Sequence, residues 1–549
     1  MFSMTSMTGG EAVVLTLESI GVRHVFGIVS VHNLPIFDAV SRSKTVKLIP
    51  CRHEQGAVHA ADGYARSTGE IGVAITSTGP GAANAMGGMF EAYTASSPVL
   101  MITGQVGSSS YGKGQGELHE AESQMSMLEC VTCCVEHVSR HSEIVPALVS
   151  VISEIRNGRP RPGAVEIPID LQYAVGEVQD ISVPIPPRTM PPQSDIDDAA
   201  VILESAVRPL LVAGGGVVNS DASENLVALA ERIGAPVLTT IEGRGSIPED
   251  HPLAMGPNTD MVVMDPLFYE ADVVLAVGTR FQQSNNTHKG IVIPGRLLHL
   301  DVDPGMIGLV HETELALVGD ARLGLAALVA SLRTANTEND WLPRAQSLRE
   351  HIVSTSRNAI GLDISEIMDV IARRLPRNGI VAKDATISAY LWANRVLPVY
   401  EPRTSMRPVS MAIGPGVPMG IGAAIGSGQP TVVVQGDGGL MLSLGEMATI
   451  VQEQIPLVIC VFNDRGYGIL RFIQKSAIGG RQVGVDLETP AFSEIAEAFG
   501  MDSAKVCNPR EFEKSFGMAL DSQRPFMIEI DLSSLAPMRI QPQGTPVRD

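Results

Sequence analysis

The strongest constraint in this sequence is a rhythm. Short β-branched runs alternate with longer segments of helical period, three times over along 549 residues. In the first stretch "VKLIP", "IGVAITS" and "PVLMITG" read as strands, with "EQGAVHAADGYARSTG" and "AANAMGGMFEAYTAS" as helices between them. "PLLVAGGGV", "PVLTT", "DVVLAVG" and "RLLHLDVD" repeat the pattern in the middle. "GIVAKD", "TVVVQGD", "LVICVFND" and "PFMIEIDL" repeat it towards the end. Apolar runs of this length, alternating with helices, indicate parallel sheets covered on both faces. The expected fold is α/β, with three doubly wound domains of mainly parallel sheet. Length agrees, because a chain of this size exceeds what one core organises. Two stretches read as linkers: proline-rich "VQDISVPIPPRTMPPQSD" (178–195) and polar "TANTENDWLPRAQSL" (334–348). The domains are then expected at 1–180, 195–335 and 355–549.

Charge removes several classes of partner. A formal net charge of -20, with no basic stripe to offset it, argues against nucleic acid and against an anionic membrane surface. No apolar run reaches the roughly 18 residues that span a bilayer. The start, "MFSMTSMTGGEAVV", has no basic segment leading into an apolar one, so a cytoplasmic location is expected. Among six cysteines, Cys130, Cys133 and Cys134 form a C-x2-C-C cluster. Structural zinc needs a second ligand pair at suitable spacing and none follows, so reduced thiols are expected there.

The chemistry gathers where strands end. In "TVVVQGDGGLMLS" (431–443) a strand runs into Asp437, followed by Gly438, Gly439 and a helix expected to start near Ser443. Ligands of doubly wound sheets bind beyond the carboxyl ends of strands, and glycine lets backbone amides approach an anion. A carboxylate there repels a phosphate unless a cation lies between them, and Mg²⁺ combines a few carboxylates with phosphate oxygens. The next strand, "LVICVFNDRGYG", offers Asp464, 27 residues beyond Asp437 and one strand–helix–strand unit away. Alone, Asp437 reads more readily as a helix cap; the pair points to a metal. Glu54 in "LIPCRHEQGAVHAADGYAR" stands past a strand and before a helix, where the helix dipole favours a carboxylate. "TSTGPGAANAMGG" is another strand-to-helix turn and carries Asn84.

Together these segments resemble the thiamine-diphosphate-dependent decarboxylase and acetolactate synthase family, over almost the full length. The order is the same: pyrimidine-binding, middle and diphosphate-binding domains. "GDGGLMLSLGEMATIVQEQIPLVICVFND" and "RHEQGAVHAADGYAR" carry the resemblance. It implies thiamine diphosphate and Mg²⁺ as cofactors, with Asp437, Asp464 and the Gly466 carbonyl as metal ligands. Gly438, Gly439 and Thr386 of "KDATISAY" would then hold the diphosphate. Ile413 of "SMAIGPGVPMGIG" becomes the apolar residue that bends the cofactor, and the Met411 carbonyl accepts from its aminopyrimidine. Glu54 relays a proton to the pyrimidine ring, with Asn84 as a further cofactor contact. In this family Glu54 and the metal site of one centre come from different subunits, which implies a homo-oligomer: a dimer or a dimer of dimers.

The family decarboxylates, joins, splits or oxidises, and local departures guide the choice. Acetolactate synthases carry a Phe-Gln-Glu segment after the third strand, where this chain has "GKGQGELHEAESQM". That segment resembles the 5-guanidino-2-oxopentanoate decarboxylase branch, as does "GIVSVHNLPIFDAV". His32 falls where several decarboxylases and benzaldehyde-type lyases place an active-site histidine, and His119 is the second candidate; the plain alternative is two loop histidines. A histidine with pKa near 6.5 can donate a proton at neutral pH. The expected function is non-oxidative decarboxylation of a small-molecule 2-oxoacid to an aldehyde. The alternatives are an acetolactate-synthase-like carboligase, a benzaldehyde-type C–C lyase, and a catalytically silent regulatory paralogue. The middle domain carries "VAGGGVVNS" and "GTRFQQSNNTH" but no recognisable flavin contacts, so FAD is not expected.

Overall fold

The structure, a computed structural model, describes residues 4–179, 181–257, 264–282, 291–333 and 340–539. The apolar runs form strands as expected, and their lack of in–out alternation has a direct cause. In the strand Leu457–Asn463, Leu457, Ile459 and Val461 enter one core, while Val458, Cys460 and Phe462 enter another on the opposite face. Successive side chains of a strand point to opposite faces, so a strand with a core on each side has no polar positions to offer.

Among the described residues three six-stranded sheets result, and every pairing within them is parallel. Across the first, the order is Lys47–Pro50, His24–Gly27, Gly72–Thr76, Val99–Gln105, Gly163–Pro168, Cys134–His137. Across the third it is Ser405–Met406, Ile380–Lys383, Thr431–Gly436, Leu457–Asn463, Phe526–Asp531, Asp502–Val506. Numbered within each sheet, both run 2-1-3-4-6-5. The middle sheet, from Ala254–Pro257 through Val237–Thr239, Pro209–Ala213, Val273–Val277 and Arg296–Asp301 to Leu315–Val318, runs 3-2-1-4-5-6. An antiparallel ribbon of Met4–Thr8 with Val175–Gln179 stands apart from the sheets.

The first and third domains share one core, which joins Phe26, Val58 and Ala61 to Val417, Ile421 and Val433. Its seam is the crossing of helices Glu54–Thr68 and Gly416–Ser427, where backbone meets backbone. A Cβ on Gly422 would lie 1.7 Å from the Ala60 carbonyl oxygen, and one on Gly63 would lie 2.1 Å from that of Met419. Any larger residue at either position forces the two domains apart.

The polar stretch 334–348 is not simply a linker. Residues 334–339 lie outside the described residues, but Trp341–Ile360 is one helix of 20 residues that crosses the boundary expected at 355. Trp341 is buried and donates its indole N–H to the Pro209 carbonyl at 2.7 Å, which anchors a segment of otherwise polar composition. Pro343 is tolerated because it lies in the first helical turn. No helix among the described residues is long and apolar enough to cross a membrane.

Candidate active site

Asp437 leaves the strand Thr431–Gly436 and Asp464 leaves its sheet neighbour Leu457–Asn463, so the two carboxylates stand at adjacent strand ends. Asp437 Oδ2 accepts the Gly466 N–H at 2.8 Å, which folds the chain beyond Asp464 back over Asp437. The helix after the strand spans Asp437–Ser443, beginning at Asp437 instead of near Ser443. The two glycines that read as loop are locked against neighbours: a Cβ on Gly438 would lie 2.7 Å from the Tyr467 ring, and one on Gly439 would lie 1.9 Å from Asp384 Oδ2. Gly436 takes the capping position and no side chain caps this helix, so Asp437 is not a cap.

Burial raises the Asp437 pKa. Burial, and then the Asp437 charge beside it, push Asp464 up to about 7. Arg471 reaches Asp464 at 3.3 Å but is shared with Asp486 at 2.8 Å. A buried and a half-buried carboxylate facing each other each raise the cost of the other's charge, and a divalent cation that prefers oxygen relieves both. The Gly466 carbonyl oxygen lies 3.4 Å from where a Gly438 Cβ would stand. Among the described residues no group of three or more His, Cys, Asp and Glu side chains is placed to hold a metal, so any cation here relies on two carboxylates and backbone oxygen. The Cys133 and Cys134 thiols lie 3.6 Å apart, while the Cys130 thiol donates to the Ser126 carbonyl; all three are free.

Sequence reasoning passed over Asp384. It is fully buried at the end of the strand Ile380–Lys383, where burial pushes its pKa up to about 6. Its carboxylate accepts the Gly414 N–H at 2.9 and 3.1 Å, the Gly416 N–H at 3.4 Å and the Gln435 amide at 2.6 Å. These bonds seat the turn carrying Met411 and Ile413 against the strand ends. Met411 has left-handed backbone, φ +63°, and Ile413 is exposed. The Thr386 hydroxyl lies 2.6 Å from where a Gly436 Cβ would stand, directly beside the start of the Asp437 helix.

In the first domain, Glu54 opens the helix Glu54–Thr68, and its Oε2 accepts the Asn84 amide at 3.1 Å. The loop before it is held from the third domain, another feature the sequence did not reveal. Glu446, buried in a helix, accepts the N–H groups of Arg52 and His53, each at 3.0 Å. His32 and His119 come together, ring centroids 5.2 Å apart. His119 Nδ1 lies 3.5 Å from the Ser77 hydroxyl, which in turn accepts from the Ser30 hydroxyl at 2.8 Å. A Cβ on Gly81 would lie 2.8 Å from Ser77 Cβ and 3.1 Å from Glu54 Oε1, so Ser77, which His119 touches, shares the Gly81 turn with the Glu54 carboxylate. The expected His32 pKa near 6.5 needs correcting. The ring is buried, which pushes its pKa down, and the adjacent His119 adds to this. His119, with left-handed backbone at φ +63°, is the more accessible of the two. No hydrogen bond or ion pair among the described residues joins the Glu54 group to the Asp437 group.

Against the middle sheet lies a cavity of about 760 Å³, lined by Gly215, Gly216, Thr240, Glu242, Arg280 and Asp301 and, from the first domain, by Thr94 and Arg159, among others. It lies at the carboxyl strand ends, where the strand order of this sheet reverses. Residues 283–288 of "GTRFQQSNNTH" lie outside the described residues.

Comparison with known proteins covers all three domains. The profile for the N-terminal TPP binding domain of thiamine pyrophosphate enzymes matches residues 7–127, that for the central domain 196–328, and that for the C-terminal TPP binding domain 387–530. A probable acetolactate synthase large subunit of Methanocaldococcus jannaschii is 32% identical, over 98% of this chain and 94% of its own. This chain belongs to the thiamine pyrophosphate enzyme family. Within the family it is also similar to a probable 2-ketoarginine decarboxylase of Pseudomonas aeruginosa, at 33% identity over 96% of this chain and 94% of the relative. The large subunit of Escherichia coli acetolactate synthase isozyme 2 is 28% identical over 96% of each chain. The chain is therefore a thiamine-diphosphate-dependent enzyme of the 2-oxoacid decarboxylase and acetolactate synthase kind. 2-Ketoarginine is 5-guanidino-2-oxopentanoate, so one of these family members bears the name of the branch that "GELHEAES" resembles.

Proposed function

We propose that this enzyme uses thiamine diphosphate and Mg²⁺ to decarboxylate a 2-oxoacid non-oxidatively, releasing an aldehyde. Asp437, Asp464 and the Gly466 carbonyl hold Mg²⁺, and Gly438, Gly439 and Thr386 bind the diphosphate. What supports this is the carboxylate pair itself, Asp437 buried and Asp464 half-buried, which shares one arginine with Asp486 and faces a helix start without a side-chain cap. Ile413 and the Met411 carbonyl would orient the pyrimidine half, and Glu54, held by Asn84, would be the group that exchanges a proton with it. When bound, the cofactor supplies an electron sink for the bond to CO₂. No flavin is required, and the enzyme works in the cytoplasm.

One observation carries the choice of aldehyde release over joining. The segment that replaces Phe-Gln-Glu sets His119 against Ser77, beside the Glu54 group, where a proton can be delivered to the product. His119 is the donor in this account, because it is the more accessible ring, and buried His32 packs behind it. The acetolactate synthases among the relatives favour a second reading, in which a second oxoacid captures the product before a proton does. The two outer domains are expected to complete each site across a subunit interface, as a dimer or a dimer of dimers. Exposure of Ile413, Met441 and Leu442 next to the Asp437 group fits that arrangement. Mixing Glu54→Gln with Asp437→Ala subunits should then restore activity that neither has alone; a fully active monomer contradicts it. The test of function is a panel of 2-oxoacids with CO₂ and organic products measured together. Equimolar aldehyde and CO₂ is the expected result, and acyloin as the main product from oxoacid alone selects the second reading.

A further inference from the structure

The turn between the strand Ser405–Met406 and the helix Gly416–Ser427 is clamped at both ends by fully buried carboxylates, and they come from different domains. Asp384 of the third domain holds the far end at Gly414 and Gly416. Glu91 of the first domain, on the helix Pro80–Ala95, holds the near end. Its side chain accepts the Val409 N–H at 2.7 Å, the Ser410 N–H at 2.9 Å and the Ser410 hydroxyl. Arg66, on the helix Glu54–Thr68, stands 3.2 Å from Glu91 and donates to the Arg407 carbonyl at 2.6 Å. Between the clamps lie Met411, Ala412 and Ile413, with Met411 at φ +63°.

A buried carboxylate is costly unless its charge is matched by donors, and an apolar residue would pack on this helix at less expense. Glu91 directs three donors from one turn onto a single side chain. Left-handed backbone at a residue other than glycine persists only where its surroundings over-determine it. The clamps at 409–410 and 414–416 supply that constraint, and the direction of the Met411 carbonyl follows from it.

We propose that Glu91 is the positioning residue for Val409–Ile413, so that the first domain fixes the turn on which the third domain presents Met411 and Ile413. The catalytic consequence rests on the reading above, in which these two residues orient the pyrimidine half of the cofactor. The clamp itself does not. Loss of the clamp loosens the turn without touching Asp437, Asp464 or Glu54, and a misplacement near 1 Å can cost about 10²-fold in rate.

Glu91→Gln keeps the shape of the side chain but turns an amide NH₂ towards donors, and Ser410→Ala removes one donor. Hydrogen–deuterium exchange followed by mass spectrometry, on protein free of cofactor, reads the Val409 and Ser410 amides directly. Exchange about tenfold faster in Glu91→Gln is expected, as for locally released hydrogen bonds, with a smaller increase in Ser410→Ala. With thiamine diphosphate and Mg²⁺ added, Glu91→Gln should keep its cofactor affinity within about threefold and lose about tenfold or more in kcat, with KM for the oxoacid little changed. Wild-type amide exchange at 409–410 in both variants overturns the proposal. So does a loss of kcat accounted for wholly by lost cofactor affinity. Should Glu91→Gln fail to fold, Ser410→Ala reads the same amides. Faster exchange in the variants, with a wild-type protein that binds no thiamine diphosphate, upholds the clamp and removes the function proposed above.

Discussion

The first and third domains have the same strand order but use their strand ends differently. After the third strand of its sheet, the third domain has Asp437-Gly438-Gly439 where the first has Ser77-Thr78-Gly79. After the fourth strand the contrast is Asp464 against Val106, and after the first it is Asp384 against Ile28. The third domain thus sets three carboxylates at adjacent strand ends, Asp384 and Asp437 buried and Asp464 half-buried. The first places hydroxyls and histidines there and sets its own carboxylate, Glu54, after the second strand. Topology fixes where a ligand can sit, and side chains decide which half of it each domain receives. Here the third domain is suited to a cation with an anion, and the first to proton transfer.

That division can be broken by mutation. The largest expected effect is at Glu54: Glu54→Gln should lose about 10²-fold or more in turnover, the usual scale for removing a general acid or base. Its affinity for thiamine diphosphate should stay near wild type, since the first domain is assigned proton transfer and not diphosphate binding. Loss of cofactor binding in equilibrium titration would show the division to be wrong. Next comes Asp384→Ala, which strands the Gly414 and Gly416 N–H groups and the Gln435 amide in a buried site, at about 1–3 kcal/mol for each unpaired group. Denaturant unfolding should show this, with Ile28→Ala at the matching strand end costing less. An equal cost at the two positions would remove the special role of Asp384. The smallest effect is expected at the histidines. His119→Ala should slow aldehyde release relative to CO₂ loss by about tenfold, below the usual ~10²-fold because water can replace the donor at an accessible site, and His32→Ala by less. A larger effect from His32 would return the donor role to the buried ring.

Much of this arrangement is legible in the sequence. The central strands are mostly apolar because both faces are covered, so their parallel class follows from the runs, but edge strands such as Cys134–His137, Ser405–Met406 and Asp502–Val506 are polar or short and leave no such run. Asp437 and Asp464 are visible because each ends such a run. Asp384 ends "GIVAKD" in the same way and could have been found by the same rule. Glu446 and Glu91 could not. Each looks like an ordinary helical glutamate, in "GEMATIV" and "GGMFEAY", and gains its meaning from backbone amides some 300–400 positions away in the chain. The helix Trp341–Ile360 was hidden for a similar reason, since one buried tryptophan anchors a polar segment. The His32 pKa was misjudged because burial of a loop residue leaves no periodic trace.

The central claim is that the Asp437–Asp464 pair holds a cation against a diphosphate. Isothermal titration of thiamine diphosphate tests it most directly, using wild type with Mg²⁺, wild type in excess chelator, and Asp437→Ala with Mg²⁺. Binding in the first case and its loss in the other two is the predicted result. Unchanged affinity in Asp437→Ala, or in excess chelator, would contradict the account.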